Sequence, residues 1–323
     1  MGKKVLVTGA AGFIGSHLSE ELVRFDYQVI GLDNFDEFYS PDIKRQNISD
    51  LTRTENFQLI TGDIRDVDLL QDVFRKFDID VVVHLAARAG VRPSIDKPLE
   101  YLDVNIAGTV CLLEASRRYS IDRFIFASSS SVYGVQNKIP FREDYKIFTP
   151  TSPYATSKAA AELYCRTYSQ LYDIPIKVLR LFTVYGPRQR PEMAIHQFVR
   201  KIDIGEEIVL FGDGTSKRDY TYINDIISGI IKTMQYPDTQ LFRIFNLGNS
   251  RPVTLEYLIG LIEQNIKKTA KRKILPVQAG DVPITVADIS EAKKYIGYQP
   301  EVPIEQGIPL FIEWYLKSKR ARA

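Results

Sequence analysis

Short apolar runs alternate with longer amphipathic segments through the first half of the chain. The runs are rich in β-branched residues and predict buried strands, the first beginning at Lys4 and the others at residues 28–32, 57–61, 80–84, 121–127 and 176–181. The segments between them predict helices, including residues 66–77, residues 98–119 and a helix that begins near Ser152 and Pro153. This alternation predicts an α/β fold, a doubly wound parallel sheet with helices on both faces.

Three glycines at three-residue spacing follow the first predicted strand. Gly9 permits a tight turn, Gly12 lets a diphosphate approach the backbone, and Gly15 lets the next helix pack closely on the sheet. The N-terminus of that helix presents free N–H groups and a partial positive charge to phosphates. With Phe13 and Ile14, the glycines form a candidate dinucleotide-binding turn of the Rossmann type. The alternative is a glycine-rich turn that binds no ligand.

An acidic residue follows at the position that such a turn requires. Asp33 ends the second predicted strand, about 20 residues beyond the glycines, where a carboxylate can accept hydrogen bonds from an adenosine ribose. Because a carboxylate repels a 2′-phosphate, Asp33 favours NAD over NADP. We interpret Lys44 and Arg45, farther along, as solvated helix charges. Further candidate cofactor contacts follow the ends of the second, third and fourth strands: Asn34, Asp63, Ile64, Leu85, Ala86 and Ala87. Ordinary tight packing explains the small residues among them equally well.

Tyr154 and Lys158 lie four residues apart in a predicted helix and therefore share one of its faces. An ammonium near a phenol favours the phenolate, so we expect Lys158 to lower the pKa of Tyr154 from about 10 toward the working pH. The tyrosine can then act as a general acid or base. Four serines at residues 128–131 follow the fifth strand, where ligands bind in open α/β sheets. Without that setting, the Tyr–Lys pair would fit a solvated helix face.

The regular alternation of strands and helices ends after Phe182. We expect residues 1–182 to form the NAD-binding Rossmann domain and residues 183–323 to form mainly a smaller α/β substrate-binding part. Residues 222–235 and 242–247 are expected to return to the large sheet.

Composition narrows the possible partners. Apolar residues make up 45% of the chain and charged residues 25%, as in soluble globular proteins, and the net charge of +2 does not favour a nucleic-acid partner. Cys111 and Cys165 favour a reducing compartment, so we expect a cytoplasmic protein. The three histidines lack metal-ligand spacing and no apolar run reaches the length of a membrane span, so neither a metal site nor a membrane partner is predicted.

Together, these residues carry a resemblance to a known family. The glycine turn, Asp33, Tyr154 and Lys158 resemble the extended short-chain dehydrogenase/reductase family, in particular its nucleotide-sugar epimerases. The likeness runs almost end to end and is closest to the UDP-glucuronate 4-epimerases. Its more specific motifs are Arg-Ala-Gly-Val-Arg at residues 88–92 and Gln-Ala-Gly-Asp-Val-Pro at residues 278–283, and others lie at residues 33–39, 187–194, 212–214 and 218–222.

The resemblance implies roles for individual residues. The family's catalytic serine or threonine falls on Ser129, within one residue, beside Tyr154 and Lys158. The implied nucleotide-sugar contacts are Arg88, Ser129, Ser130, Ser131, Thr183, Arg190, Arg218 and Asp281. Hydroxyls and an arginine fork can hold a sugar carboxylate. Arg190 is a candidate for that role, with a diphosphate contact or a surface charge as alternatives, and Arg218 is the better candidate for the UDP phosphates.

Two positions bear on which reaction the resemblance implies. Ser131 stands where dehydratases and UDP-glucuronate decarboxylases carry a glutamate, which argues against both activities. Gln278 stands where several UDP-hexose epimerases carry an arginine, so the uridine contact at that position stays open.

The implied reaction is redox-neutral C4 epimerisation of a UDP-sugar with NAD, most closely UDP-glucuronate to UDP-galacturonate, through a 4-keto intermediate with transient NADH. The alternatives are a 4-epimerase for UDP-glucose or UDP-N-acetylglucosamine, an NAD(P)-binding sensor without turnover, and a net dehydrogenase. The resemblance also implies a homodimer in which residues 98–119 and 152–172 pair as helices. Several apolar side chains could line that interface or the core: Leu112, Leu113, Ala160, Leu163 and Tyr164.

Overall fold

The computed structural model describes residues 2–136, 138–147, 149–237, 239–277 and 281–322. Its strands are β1 (Lys4–Thr8), β2 (Gln28–Asp33), β3 (Phe57–Thr61), β4 (Val81–His84), β5 (Arg123–Ser129), β6 (Ile176–Leu181), β7 (Thr183–Tyr185), β8 (Glu207–Phe211), β9 (Lys217–Arg218), β10 (Tyr220–Tyr222), β11 (Phe242–Leu247), β12 (Val253–Thr254) and β13 (Lys271–Leu275). Its helices are α1 (Phe13–Arg24), α2 (Pro41–Asn47), α3 (Val67–Phe77), α4 (Val91–Asp96), α5 (Pro98–Tyr101), α6 (Gly108–Arg118), α7 (Pro153–Tyr172), α8 (Ala194–Ile204), α9 (Ile223–Gln235), α10 (Leu255–Ile266), α11 (Ser290–Ile296) and α12 (Ile304–Arg322).

Within the described residues, seven parallel strands form one central sheet in the order β11-β6-β5-β4-β1-β2-β3. The chain places β2 and β3 on one side of β1 and then crosses to place β4 on the other side. The carboxyl ends of β1 and β4 therefore flank the switch point, where ligands bind in such sheets. The predicted doubly wound parallel sheet is confirmed, although β5 begins at Arg123, two residues later than predicted.

Both faces of the sheet are buried, which explains why its strands are continuous apolar runs. In β1, Val5 and Val7 belong to one core and Leu6 to the other. The first core includes side chains of α1 and α9, and the second includes side chains of α3, α6 and α7. Leu112 and Leu113 are fully buried in the second core, so their possible place in an interface is ruled out.

The segment predicted as one helix at residues 98–119 is interrupted. A π-helical segment, Leu102–Ala107, separates α5 from α6. This segment carries the Asn105 amide, which accepts a hydrogen bond from the Arg88 N–H at 2.8 Å and donates to the Arg88 carbonyl oxygen at 2.9 Å. Apolar periodicity does not distinguish a regular helix from one with a locally wider turn, so the prediction of a single regular helix is wrong.

The second half of the chain adds short strands beside the large sheet. In the part of the chain that the structure describes, β7 pairs with β10, β9 with β12 and β8 with β13. Only Phe182 separates the end of β6 from the start of β7, so these additions start at the carboxyl edge of the large sheet. β11 pairs with β6 over its whole length, which places residues 242–247 in the large sheet. The division into two domains at residue 182 stays a prediction.

Candidate active site and cofactor cleft

A cavity of about 410 Å³ opens at the switch point of the sheet. It brings together every candidate cofactor residue: Gly9, Gly12, Phe13, Ile14, Gly15, Asp33, Asn34, Asp63, Ile64, Leu85, Ala86, Ala87, Tyr154 and Lys158. It also brings together most of the candidate sugar-binding residues: Arg88, Ser129, Ser130, Ser131, Thr183 and Arg190. Turn, acid, serine cluster and Tyr–Lys pair therefore share one space, although they come from distant parts of the sequence.

The glycine turn is shaped by backbone approaches that a side chain would block. Gly9 has a φ of +71°, and a Cβ on Gly15 would lie 2.1 Å from the Gly9 carbonyl oxygen. Gly12 is the N-cap residue of α1 and has no side chain that could cap the first N–H groups of the helix. The first backbone N–H groups of α1 are thus left without a side-chain acceptor at the cavity wall, as binding of a phosphate requires.

Asp33 is buried at the end of β2, beside this turn. Its carboxylate accepts hydrogen bonds from the Ala11 N–H at 3.0 Å and from the Phe35 N–H at 2.8 Å. Burial raises the pKa of Asp33, and these two backbone bonds, together with the charge of Lys44, partly offset the rise. Each carboxylate oxygen keeps acceptor capacity beyond its one backbone bond, so Asp33 can also accept from a ribose hydroxyl.

The cavity continues past the end of β3. Asp63 accepts from the Asn34 amide at 2.9 Å and from the Arg65 guanidinium, which holds the pKa of Asp63 at about 2. Arg65 also binds Asp103. This polar rim is charged and fixed before any ligand arrives.

Tyr154 does not have the lowered pKa that the sequence predicts. Burial raises the pKa of its phenol, while the Ser129 hydroxyl and the positive charge of Arg190 partly offset the rise. Lys158 is not among the groups that shift the pKa of Tyr154. The expected lowering of the Tyr154 pKa is therefore wrong for the protein alone. The cost of desolvating a buried phenolate is larger than the stabilisation by its polar neighbours.

Lys158 is buried and directed toward the end of β5. Its ammonium donates to the Ala127 carbonyl oxygen at 2.8 Å and lies 4.9 Å from the centre of the Phe126 ring. Burial lowers the pKa of Lys158 to about 8, and Glu162 and Cys165 oppose that change. Lys158 is thus fixed one helical turn from Tyr154, and it gives up its proton more readily than a solvated lysine.

A buried ion pair supports the serine end of β5. Arg180 binds both carboxylate oxygens of Glu162, at 3.0 and 2.8 Å, and both residues are buried. Glu162 also accepts a hydrogen bond from the Ser128 hydroxyl. The neighbouring Ser129 oxygen accepts from the Ser131 N–H at 3.1 Å and lies 3.2 Å from the Ser131 hydroxyl. The serine hydroxyls are therefore ordered by protein contacts.

Arg190 projects into the cavity from the loop after β7. Its Nε lies 3.2 Å from a Glu192 oxygen, while no hydrogen-bond partner of suitable geometry reaches either Glu192 oxygen within the described residues. The guanidinium also lies 5.7 Å from the centre of the Phe38 ring. Glu192 therefore lies beside the Nε edge of Arg190 at the wall of the cavity.

The Arg88 guanidinium also lies near the Phe38 ring, 5.6 Å from its centre. Its guanidinium binds Asp36 at 3.0 Å and Glu100 at 3.1 Å. Two carboxylates of the protein already neutralise this arginine. Arg88 therefore forms part of the cavity wall and carries little uncompensated charge for a ligand.

Two of the predicted sugar-binding residues do not line the cavity. Arg218 lies in β9 and donates to the Lys217 carbonyl oxygen at 3.0 Å. Asp281 binds Arg92 at 3.2 Å. The structure does not bring these two side chains to the other site residues. Gln278, on which the uridine question depends, lies outside the described residues.

Three cavity residues were missed by the sequence argument. Lys44 was interpreted as a solvated charge, but it is buried, with only 7% of its surface exposed. Phe38 and Tyr39 were singled out only as part of a family motif, without a role, and both line the cavity. All three residues follow Asp33 closely in the sequence, and that position was the signal that could have placed them near the cofactor turn.

Other candidate chemistry is accounted for by packing. His84 is buried between two hydroxyls, with Thr8 at 2.8 Å and Thr109 at 3.0 Å. The described residues contain no group of three or more potential metal ligands. Across those same ranges, no helix has both the length and the apolar character that crossing a bilayer requires.

Comparison with known proteins agrees with this architecture. The family model described as GDP-mannose 4,6 dehydratase matches residues 6–310. A protein named UDP-glucuronate 4-epimerase, from Thermodesulfobacterium geofontis, is 42% identical over 96% of this chain and 95% of its own length. The chain therefore belongs to the extended short-chain dehydrogenase/reductase family, in the branch that this dehydratase model describes.

Solved structures narrow the likeness within the family. UDP-glucuronic acid 4-epimerase from Bacillus cereus, crystallised with UDP-glucuronic acid and NAD, matches with a TM-score of 0.93 at 38% identity over 98% of this chain and 99% of that chain. UDP-glucose 4-epimerase from Thermotoga maritima, with UDP-glucose, matches with a TM-score of 0.89 at 32% identity over 98% of this chain and 99% of that chain. The resemblance to nucleotide-sugar epimerases is confirmed.

Proposed function

We propose that this protein is an NAD-dependent UDP-sugar 4-epimerase, an isomerase that acts on UDP-glucuronate and UDP-galacturonate. The observation that carries the proposal is the shared cavity. One space holds the dinucleotide turn, the Tyr154–Lys158 pair and an ordered serine cluster beside Arg190. The named epimerases at 42% and 38% identity, one of them crystallised with NAD, support the same activity.

The residues present fit an NAD-type dinucleotide. The uncapped end of α1 suits its diphosphate, and Asp33 suits a ribose that carries a free 2′-hydroxyl. A 2′-phosphate beside a buried carboxylate would meet charge repulsion, which favours NAD over NADP. When bound, NAD⁺ supplies a hydride acceptor that can return the hydride, so the net reaction needs no external oxidant.

The protein's own residues handle the proton. Tyr154 Oη takes the proton of the sugar 4-hydroxyl as hydride leaves C4, and returns it after the 4-keto sugar has turned over. Ser129 hydrogen-bonds the reacting oxygen. In the protein alone, burial raises the pKa of Tyr154, and the Ser129 hydroxyl and the charge of Arg190 oppose that rise. The positive charge of bound NAD⁺ would favour the phenolate further.

Uronate specificity is the finer part of the proposal. The 4-keto form of a glucuronate is a β-keto acid, which loses carbon dioxide readily. A carboxylate held firmly in an unfavourable orientation resists that loss. Ser130, Ser131 and Thr183 offer hydroxyls, and Arg190 offers a guanidinium group, in the cavity that Ser129 also lines. Ser131 also leaves the site without the glutamate that dehydratases and decarboxylases use there.

A 4-epimerase for neutral UDP-sugars is the second candidate, and one observation favours it. Glu192 already lies 3.2 Å from Arg190 and balances its charge, so this arginine carries less attraction for a uronate than an unpaired one would. The relative crystallised with UDP-glucose supports the same alternative. A sensor without turnover is disfavoured because it has no need of the serine, tyrosine and lysine together.

The test is a cofactor-free incubation. The purified protein is mixed with UDP-glucuronate alone, and the sugar protons are followed by NMR. Formation of UDP-galacturonate without added NAD is expected. Interconversion of UDP-glucose and UDP-galactose only would keep the epimerase and reject the uronate site. An oxidised sugar, formed together with an equal amount of NADH when NAD⁺ is added, would indicate a dehydrogenase.

We also propose a homodimer that forms through α7 and the helices packed against it. The exposed face of α7 carries Leu163, Tyr164 and Leu171, which are 63%, 43% and 66% exposed. Leu99 and Leu102, at 77% and 55%, extend the exposed apolar surface beside it. An apolar surface of this kind fits a second copy of the same helices.

A further inference from the structure

Lys44 is a buried cation without a nearby counter-ion. Its ammonium donates to the Asp36 carbonyl oxygen at 2.6 Å, and no carboxylate of the described residues lies within 4.0 Å of it. Asp33 and Asp36 affect Lys44 only from a longer distance. Two carboxylates act on this ammonium but neither lies within ion-pair distance of it, so the buried charge can still bind an anion.

Tyr39 presents a buried polar atom to the same region. Its hydroxyl has no hydrogen-bond partner in the part of the chain that the structure describes. The hydroxyl lies 4.0 Å from the point where a Cβ on Gly12 would stand, and the Lys44 ammonium lies 4.8 Å from the centre of the Tyr39 ring. The Tyr39 hydroxyl therefore lies beside the glycine turn, and the Lys44 ammonium lies against the ring of the same tyrosine.

We propose that Tyr39 and Lys44 bind the diphosphate of the dinucleotide cofactor, opposite the N-terminus of α1. The proposal rests on the cofactor assignment made above. Tyr39 and Lys44 lie six and eleven residues after Asp33, and Tyr39 lies beside Gly12, which is why we assign them to the cofactor and not to the diphosphate of a UDP-sugar. A diphosphate held from two sides stays bound through the cycle, as a redox-neutral reaction requires.

Two substitutions isolate these contacts, and a third serves as their control. Tyr39→Phe removes one oxygen atom, and Lys44→Met removes the charge while it keeps an unbranched apolar stem. Arg45→Met is the matched control, because Arg45 is the next residue of α2 but is exposed and paired with Asp42. Thermal melting shows that each variant is folded. If Lys44→Met does not fold, Tyr39→Phe decides the outcome.

The main readout is exchange of bound cofactor in the full-length protein. Protein as purified, supplemented with NAD⁺ if needed, is mixed with excess isotope-labelled NAD⁺, and exchange is followed by mass spectrometry. Loss of a charge-assisted hydrogen bond predicts exchange at least about ten-fold faster in both variants, with the control unchanged. The affinity for UDP, measured by calorimetry on the same samples, is expected to stay within about two-fold of the wild type.

Each other outcome overturns the proposal. Wild-type exchange rates in both variants would mean that neither side chain holds the cofactor. Weaker UDP binding with unchanged NAD⁺ exchange would assign the pair to the substrate. A wild type that exchanges NAD⁺ slowly but epimerises no UDP-sugar would reject the proposed function alone, whereas a wild type that binds no NAD⁺ would reject both.

Discussion

The Lys158 ammonium and the Ala127 carbonyl oxygen, 2.8 Å apart, join the helix that carries Tyr154 to the strand that ends in the serine cluster. One helical turn further along α7, Glu162 accepts a hydrogen bond from Ser128. Two polar contacts therefore fix α7 against the end of β5. Tyr154 and Ser129 are held in one arrangement before a substrate arrives, which limits the reorganisation that proton transfer requires.

Replacement of Tyr154 by phenylalanine tests the assigned proton carrier. Tyr154→Phe should reduce epimerisation by about 10²- to 10⁴-fold, because only the proton-transfer group is removed. The bound NAD⁺ content should match that of the wild type, since the phenol ring is kept. Turnover by NMR and nucleotide content by absorbance measure both. If the variant loses its NAD⁺, the residue has been misplaced within the site.

Arg190 should distinguish sugars that differ only at C6. Arg190→Ala is expected to reduce kcat/KM for UDP-glucuronate about 10- to 100-fold more than for UDP-glucose, the loss typical of a charged hydrogen bond. Steady-state kinetics with both substrates provides the comparison. Arg190→Lys is the matched variant, and it should recover only part of the loss because an ammonium lacks the planar fork. Equal losses of kcat/KM for both sugars would indicate that Arg190 contacts the diphosphate and not the sugar carboxylate.

Asp33 should control the choice of cofactor. Asp33→Asn keeps the size of the side chain and one acceptor oxygen but removes the charge that repels a 2′-phosphate. We expect NAD⁺ binding to weaken about ten-fold and the preference for NAD⁺ over NADP⁺ to fall. Asp33→Ala should weaken NAD⁺ further, because the Ala11 and Phe35 N–H groups then lose their acceptor. Unchanged affinities in both variants would remove the ribose assignment.

The sequence predicts the sheet well and the protonation of the site poorly. Gly9 and Asp33 are local signals, because a turn with positive φ and an acid at a strand end depend on neighbouring residues alone. Burial of Lys44 depends on α2 folding over the cavity, which no periodic pattern encodes. The pKa of Tyr154 likewise depends on how much of the phenol is desolvated, and residue spacing says nothing about that.

The exposed apolar residues of α7 predict the oligomeric state. Leu163→Glu should convert the homodimer into a monomer, because a carboxylate in an apolar interface is costly to desolvate. Analytical ultracentrifugation measures the mass directly. Leu310→Glu is the control, since Leu310 is also exposed but lies on α12. A monomeric wild type, or a variant that keeps the wild-type mass, would contradict the proposed dimer.

His17 should make the stability of the fold depend on pH. It lies in α1 and donates through Nε2 to the Pro187 carbonyl oxygen at 2.9 Å, which joins the cofactor helix to the loop of Arg190. Burial, and then the charge of Arg188, lower the pKa of His17 to about 4. In the unfolded chain His17 has its ordinary pKa of about 6.5. Between about pH 6.5 and pH 4, the unfolded chain therefore binds a proton at His17 that the folded protein does not bind. Stability should therefore be constant above pH 6.5 and fall as the pH drops toward 4.

His17→Gln keeps a donor for Pro187 and removes the titrating group. Between about pH 7 and about pH 5, the wild type should lose about 2 kcal/mol more free energy of unfolding than this variant. Urea denaturation at both pH values measures the difference. His84, whose pKa burial lowers to about 3, adds an acid-dependent loss to both proteins and cancels in the comparison. Equal losses in the two proteins would mean that His17 takes up its proton without unfolding, so that the loop of Arg190 opens from α1 while the fold persists.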